Sequence, residues 1–190
     1  MGTHWRTALK SDFLRGPPPL LLIATVAKLK AVPPRGTRSS GTAPVPGSAE
    51  EALTKRYIES SALVAAILEG DAAAKASIRA PGKRVTSALT VAEASRAIVR
   101  ARTSGRITVQ RERAATIALQ RFIGRCHIVS VTDEILSCCG RPFPLEPVRT
   151  LDAIHLATAQ ALGDPPALVT IVTRDVRVRD NAKALGYLVE

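Results

Sequence analysis

Thr150-Leu-Asp-Ala-Ile-His-Leu-Ala-Thr-Ala-Gln-Ala-Leu-Gly163, followed after a short break by Ala167-Leu-Val-Thr-Ile-Val-Thr173, is the passage that decides the fold. The first half reads as a helix: Thr150 is placed to cap it, Ala and Leu fill its interior, and Gly163 stops it just before Pro165. Leu151, Ile154, Ala157, Ala161 and Leu162 recur at helical spacing and define the expected core-facing side. The second half is a short apolar run rich in β-branched residues, the mark of a buried strand. A helix leading straight into such a strand is the repeating unit of a parallel sheet.

The same alternation extends outward in both directions. Upstream, Arg56–Glu59 reads as a strand turning into a serine-capped helix over 60–68, then a helix over 71–79 and a strand over 84–88. Thr90 is expected to open a helix running to about Arg102. Another spans 107–124, with Ile107, Ala114, Ile117, Phe122 and Ile123 as its candidate buried positions. A strand over 127–131 and a helix over 133–139 follow, then a Pro-rich turn over 142–147. Downstream, a helix over 177–185 stops at Gly186, and 187–189 form an edge strand. The fold class is therefore α/β, a mostly parallel central sheet flanked by helices, and no internal repeat interrupts it.

Residues 1–54 differ in kind. They carry seven of the thirteen prolines and five of the twelve glycines, and from Pro33 to Ser48 they show no apolar period. That composition predicts a disordered extension or a start codon placed too early, with the folded domain over 55–190. The run Leu20–Ala27 is too short and too basic behind to make a good signal segment.

The totals narrow the function. Aromatics are only 3% of 190 residues, so the core has to be aliphatic, and the net charge of +11 favours a polyanionic partner, nucleic acid above all. Three cysteines, two of them adjacent, suggest neither a disulfide framework nor a zinc site and point to a reducing, cytoplasmic setting. No run is long enough to span a membrane. A Gly-x-Ser-x-Gly elbow and a Gly-rich phosphate loop are both missing, which sets aside serine hydrolases and nucleotide switches.

Four acids fall where strand meets helix, the edge at which sites form in such sheets. Glu59 ends the first strand, and Glu93 and Asp152 fall in first turns of their helices. Asp175 comes two residues after the strand ending at Thr173. Each has an ordinary structural use: Glu93 follows Thr90 at capping-box spacing, Asp152 suits a helix dipole, Asp175 can cap the last helix, and Glu59 can pair with a cation. Convergence of all four is a different matter. Clustered carboxylates repel, and a hard divalent cation such as Mg²⁺ or Mn²⁺ resolves the conflict by taking oxygen ligands. Such an ion can polarise a phosphate for in-line attack. Residues 96–125 hold eight arginines against one acid, Glu112, a surface suited either to solvent or to an RNA backbone. Arg96, Arg100 and Arg149 are the candidates nearest the acids. His155, three residues after Asp152, is expected to be a packed helix residue.

Several stretches resemble the PIN-domain nucleases. Tyr57-Ile-Glu-Ser-Ser-Ala-Leu63 is similar to that family's opening motif, and Thr86-Ser-Ala-Leu-Thr-Val-Ala-Glu93 to its second. Leu151-Asp-Ala-Ile-His-Leu-Ala-Thr-Ala159 is the most specific match, and Val172-Thr-Arg-Asp175 with Asn181-Ala-Lys-Ala-Leu-Gly186 resembles the closing motif. Within the family the likeness is to the VapC-type toxins of toxin–antitoxin pairs. The resemblance implies a three-layer PIN-like fold and a Mg²⁺- or Mn²⁺-dependent endoribonuclease. Glu59, Glu93, Asp152 and Asp175 would be catalytic metal ligands, supported by Ser61 and Thr173. It also implies an RNA substrate, a protein antitoxin and a homodimer. One position departs from the pattern: the family's first acid is normally aspartate, and here it is Glu59. That longer side chain leaves a second reading, a catalytically weakened PIN domain that binds RNA or protein without cutting.

Overall fold

The computed structural model describes residues 54–190; the expectations for 1–53 lie outside the described residues. Five strands form one sheet in the order β3-β2-β1-β4-β5, every pair parallel. They are β1 (Lys55–Ile58), β2 (Lys83–Ser87), β3 (His127–Val129), β4 (Val169–Val172) and β5 (Leu188–Val189). Each crossover is helical, as parallel pairing demands. The helices are α1 (Ser60–Val64), continued as a π-helical turn over Ala65–Glu69, then α2 (Ala72–Arg79), α3 (Ala88–Thr103) and α4 (Val109–Ile123). Beyond β3 come α5 (Asp133–Cys138), α6 (Thr150–Gln160) and α7 (Val176–Ala184). Among the described residues no helix is long and apolar enough to cross a membrane.

Alternate strand residues feed two separate cores, which makes three layers. Ile58 and Val172 pack with Ala62, Leu63, Ala94, Ile98 and Leu119 on the α1–α4 side. Tyr57, Val85 and Ile171 pack with Leu156, Val178 and Tyr187 on the side of α6 and α7. With few aromatics, close approach of small side chains fills the interior: Ala153, Ala157 and Ala159 are all buried on α6. The expected three-layer arrangement and parallel sheet are what the chain adopts.

Register positions the site. Ile58 lies opposite both Thr86 and Val172, so β1, β2 and β4 end level with one another. The next residues, Glu59, Ser87 and Thr173, therefore emerge along one edge. The hydroxyls of Thr86 and Thr90 donate to the Ile58 carbonyl at 2.7 and 3.4 Å, satisfying the backbone where β1 ends.

Several local expectations need correction. The cap of α1 is Glu59, not a serine. Ser87, not Thr90, caps α3 by accepting from the Leu89 amide, so the capping box does not form and Glu93 sits in the second turn. Thr150 is the first residue of α6 rather than its cap, and Arg149 precedes it with no side-chain capping bond. Leu151 is 46% exposed, and Ala161 is also exposed, so the apolar stripe is narrower than the spacing suggested and is anchored by Ile154 and Ala157. On α4 the buried positions are Ala115 and Leu119, with Phe122 and Ile123 partly packed. Ile117 is 52% exposed and Ala114 faces solvent. A one-residue error in a helix rotates the inferred face by roughly 100°, and that is the size of this miss.

Candidate active site

Beyond the level strand ends lies a pocket of about 290 Å³ whose walls include Glu59, Glu93, Asp152, Asp175, Ser61 and Arg149. All four acids singled out in the sequence thus share one cavity, although Glu59 and Asp175 are 116 positions apart in the chain. Each arrives on a different element, at the end of β1, in the second turn of α3, in the first turn of α6 and at the start of α7.

Glu59 is 3% exposed, and its extra methylene folds the carboxylate back over the helix it caps. Oε1 accepts from Ser60 Oγ at 2.6 Å, and Oε2 accepts from the Ser61 amide at 3.0 Å and from Thr173 Oγ1 at 2.9 Å. Ser61 Oγ also donates to Oε2. The same Ser61 oxygen accepts from the Arg174 and Asp175 amides at 2.8 and 3.0 Å, stitching the start of α1 to the turn after β4. Ser61 and Thr173 thus both donate to the Glu59 carboxylate. Asp175 caps α7, its Oδ1 accepting from the Arg177 and Val178 amides at 2.7 and 3.3 Å, which leaves Oδ2 as the oxygen available to the pocket. Arg174 reaches away to Asp71 Oδ2 at 2.8 Å and ties this turn to the cap of α2. Asp180, near in sequence, is exposed and does not line the cavity.

Asp152 is the least satisfied of the four. Its Oδ2 is buried and has no hydrogen-bond partner among the described residues. Burial, then the charge of Asp175 and further that of Glu59, push its carboxyl above the ordinary range, with Arg149 opposing them. Buried carboxylate oxygens are seldom left unpaired. Glu93 goes the other way. Burial alone would raise its carboxyl, but the hydrogen bond from His155, helped by Ser60 and Arg100, holds it below the usual range.

The sequence reading missed the part played by His155. The ring is packed, as expected, at 1% exposure, but it also bonds to one of the acids: Nε2 lies 2.8 Å from Glu93 Oε2, with Glu59 Oε1 nearby at 3.6 Å. Nδ1 lies 3.0 Å from the hydroxyl of Tyr57, a fully buried residue of β1. The available signal was Tyr57 itself, since a tyrosine in an apolar strand needs a polar partner for its hydroxyl. Ser60 was also missed as a support. Asn181 serves elsewhere, exchanging bonds of 2.9 Å with the Leu145 amide and carbonyl and so anchoring the loop that leads into α6.

A second opening of about 530 Å³ adjoins the first, sharing Ser60, Ser61, Glu93 and Leu151 with it and adding Arg96 and Arg100. The three candidate arginines thus flank one continuous groove, Arg149 at the acids and the other two along α3.

A carboxylate set with an unpaired buried oxygen suits a hard divalent cation, so the residues present fit the metal that such a site implies. Glu59, Glu93 and His155 also each offer a donor atom within 4.8 Å of the others.

Comparison with known proteins agrees with the geometry. The PIN domain family model matches residues 56–184. Ribonuclease VapC46 of Mycobacterium tuberculosis is 38% identical over 135 residues, covering 70% of this chain and 94% of its own length. Ribonuclease VapC35 of the same species is 37% identical over 137 residues, covering 70% of this chain and 93% of its own. Among solved structures, VapC20 of M. tuberculosis, a toxin that cleaves the sarcin–ricin loop, superposes with a TM-score of 0.51 at 18% identity, covering 70% of this chain and 96% of that one. The chain belongs to the PIN-domain family, among its VapC-like ribonucleases.

Proposed function

We propose that this protein is a divalent-metal-dependent endoribonuclease, the toxin of a toxin–antitoxin pair, with Glu59, Glu93, Asp152 and Asp175 holding Mg²⁺ or Mn²⁺. The observation that carries the reading is the convergence of these four acids on one pocket with Asp152 Oδ2 left unpaired. A bound cation there would neutralise the carboxylates and polarise a phosphodiester for in-line attack by water. The chain's own residues do the rest. Ser60, Ser61 and Thr173 hold Glu59 still, the α7 cap holds Asp175, and Arg149 at the rim is placed to meet a phosphate. The reading that the protein only binds, without cutting, drew on the length of Glu59. Its carboxylate nevertheless lies in the pocket wall with the other three, so that reading gains no support.

Arg96 and Arg100 lie four residues apart on α3, hence neighbours on one helix face about 6 Å from each other. That spacing suits successive phosphates of a single strand. Replacing both with alanine is expected to weaken binding of a short single-stranded RNA in EDTA by roughly tenfold or more. It should also make the salt dependence shallower by about 1.4 in log–log slope. An unchanged slope would take these residues out of the RNA path.

The antitoxin belongs to the same proposal, as does a homodimer. A groove of about 490 Å³ between α1, α2 and α4 has an apolar floor that includes Leu63, Ile67, Ile78 and Phe122. Its rim holds Lys75, Arg79, Arg84, Arg111, Arg121 and Arg125 and no acid. That combination fits an acidic amphipathic segment of a partner protein. The double variant Arg79→Glu, Arg121→Glu is expected to lose co-purification with its antitoxin and keep its rate of RNA cleavage. Retained co-purification would place the antitoxin elsewhere.

A further inference from the structure

We propose that His155 is a positioning residue: from behind the pocket its Nε2–H holds Glu93 in place for the cation, and Tyr57 sets the tautomer that makes this possible. The inference rests on the metal reading of the pocket given above.

Three observations carry it. First, His155 lines neither the acid pocket nor the adjoining arginine opening, and it is 1% exposed. A cation or an RNA in the groove meets Glu59 and Glu93 and not the ring behind them. Second, Nε2 stands 2.8 Å from Glu93 Oε2, a hydrogen bond that fixes this carboxylate, with Glu59 Oε1 at 3.6 Å beside it. Glu93 comes from the second turn of α3, and the imidazole on α6 ties it to Tyr57 of β1. Third, the other ring nitrogen has a buried partner of its own. Tyr57 is fully buried and its hydroxyl lies 3.0 Å from Nδ1, placed to donate to the ring. A ring that accepts at Nδ1 carries its proton on Nε2, where the Glu93 carboxylate needs a donor.

Position then decides between two uses of the histidine. As a metal ligand it would need a lone pair on Nε2 and a place in the pocket wall. As a donor it needs a proton on Nε2 and a place behind the wall, and the hydrogen bonds and lining residues give it the second arrangement. The two glutamates are thus held separately, Glu59 by Ser60, Ser61 and Thr173 and Glu93 by His155.

The test is Mn²⁺ affinity by calorimetry on the full chain, with thermal unfolding in EDTA run on every variant. His155→Leu is expected to weaken Mn²⁺ binding by about 10- to 100-fold, the scale of losing a group that orients metal ligands. His155→Gln, which restores an N–H near the Nε2 position, should recover affinity to within about threefold of wild type, on the same scale. A role confined to packing would lower both melting temperatures without separating the two affinities. Wild-type affinity in folded His155→Leu overturns the inference. So does equal loss in both variants with a wild-type preference for Zn²⁺ over Mn²⁺, which would make the ring a ligand. If His155→Leu does not fold, Tyr57→Phe decides, since it keeps the buried ring and removes only the hydroxyl. Weaker Mn²⁺ binding there supports the inference, and unchanged binding overturns it. Wild-type protein that takes up no Mn²⁺ removes the metal reading and this inference together. Uptake lost in Asp152→Asn but intact in His155→Leu removes this inference alone.

Discussion

Asp152→Asn is expected to lose RNA cleavage by a factor on the order of 10³ while making the metal-free protein more stable. The loss follows from removing one charge from a preorganised site, where single groups are worth about that much. The gain follows from what the folded chain imposes on this carboxyl. Burial and the neighbouring Asp175 and Glu59 charges raise its proton affinity above the ordinary value. As pH rises from about 4, the unfolded chain releases this proton first and the folded chain keeps it longer, so the folded state binds more protons and stability falls with pH. Once the folded carboxyl has also ionised, the lost stability does not return unless a cation is bound. Asparagine has no proton to lose. In EDTA the melting temperatures of variant and wild type should coincide at low pH and separate as pH rises, with the variant higher. Mn²⁺ should then raise the wild type and leave the variant nearly unmoved. A variant that melts below wild type at neutral pH in EDTA would mean that Asp152 has a structural partner.

Ser61→Ala carries the second large effect, this time on stability and activity together. One hydroxyl accepts from the successive amides of Arg174 and Asp175 and donates to Glu59 Oε2, with Thr173 Oγ1 at 3.2 Å beside it. Alanine leaves the Arg174 amide without this acceptor and Asp175 with only Thr173 Oγ1 at 3.0 Å. Buried groups stripped of a partner cost about 1–3 kcal/mol each, and these are not independent, so a loss of about 2–4 kcal/mol is expected from urea unfolding. The turn after β4 also sets where Asp175 stands, so cleavage should fall as well, by about 10- to 100-fold, as for other groups that orient metal ligands. A loss below about 0.5 kcal/mol, the range of ordinary surface changes, would mean that the turn is held by the Arg174–Asp71 pair instead.

Much of this arrangement was legible in the sequence because it depends on order along the chain. Strands followed by helices imply a parallel sheet, and a parallel sheet puts residues such as Glu59 and Thr173 on one edge. What was hidden depends on which residue wins a local competition. Thr90 and Glu93 have the spacing of a capping box, but Ser87 stands where β2 ends and takes the cap first. The helix starts earlier, Thr90 turns inward to the Ile58 carbonyl, and Glu93 moves up to face the pocket. The purely structural explanation for Glu93 falls away with the box. Leu151 failed as a core residue for a related reason: it sits in the first turn of α6, at the open rim of the groove, where there is no facing layer. His155 was hidden because burial and hydrogen bonding to the site are compatible, and sequence spacing alone argues only for the first.

In the proposed function four carboxylates hold a divalent cation that RNA cleavage requires. The most direct measurement is cleavage of a labelled RNA by purified protein with Mn²⁺, with EDTA, and with Mn²⁺ restored, in wild type and in Asp152→Asn. EDTA is expected to abolish wild-type cleavage and Mn²⁺ to restore it, while Asp152→Asn with Mn²⁺ stays slower by a factor on the order of 10³. Cleavage that persists in EDTA, or in Asp152→Asn at the wild-type rate, would contradict the proposed function.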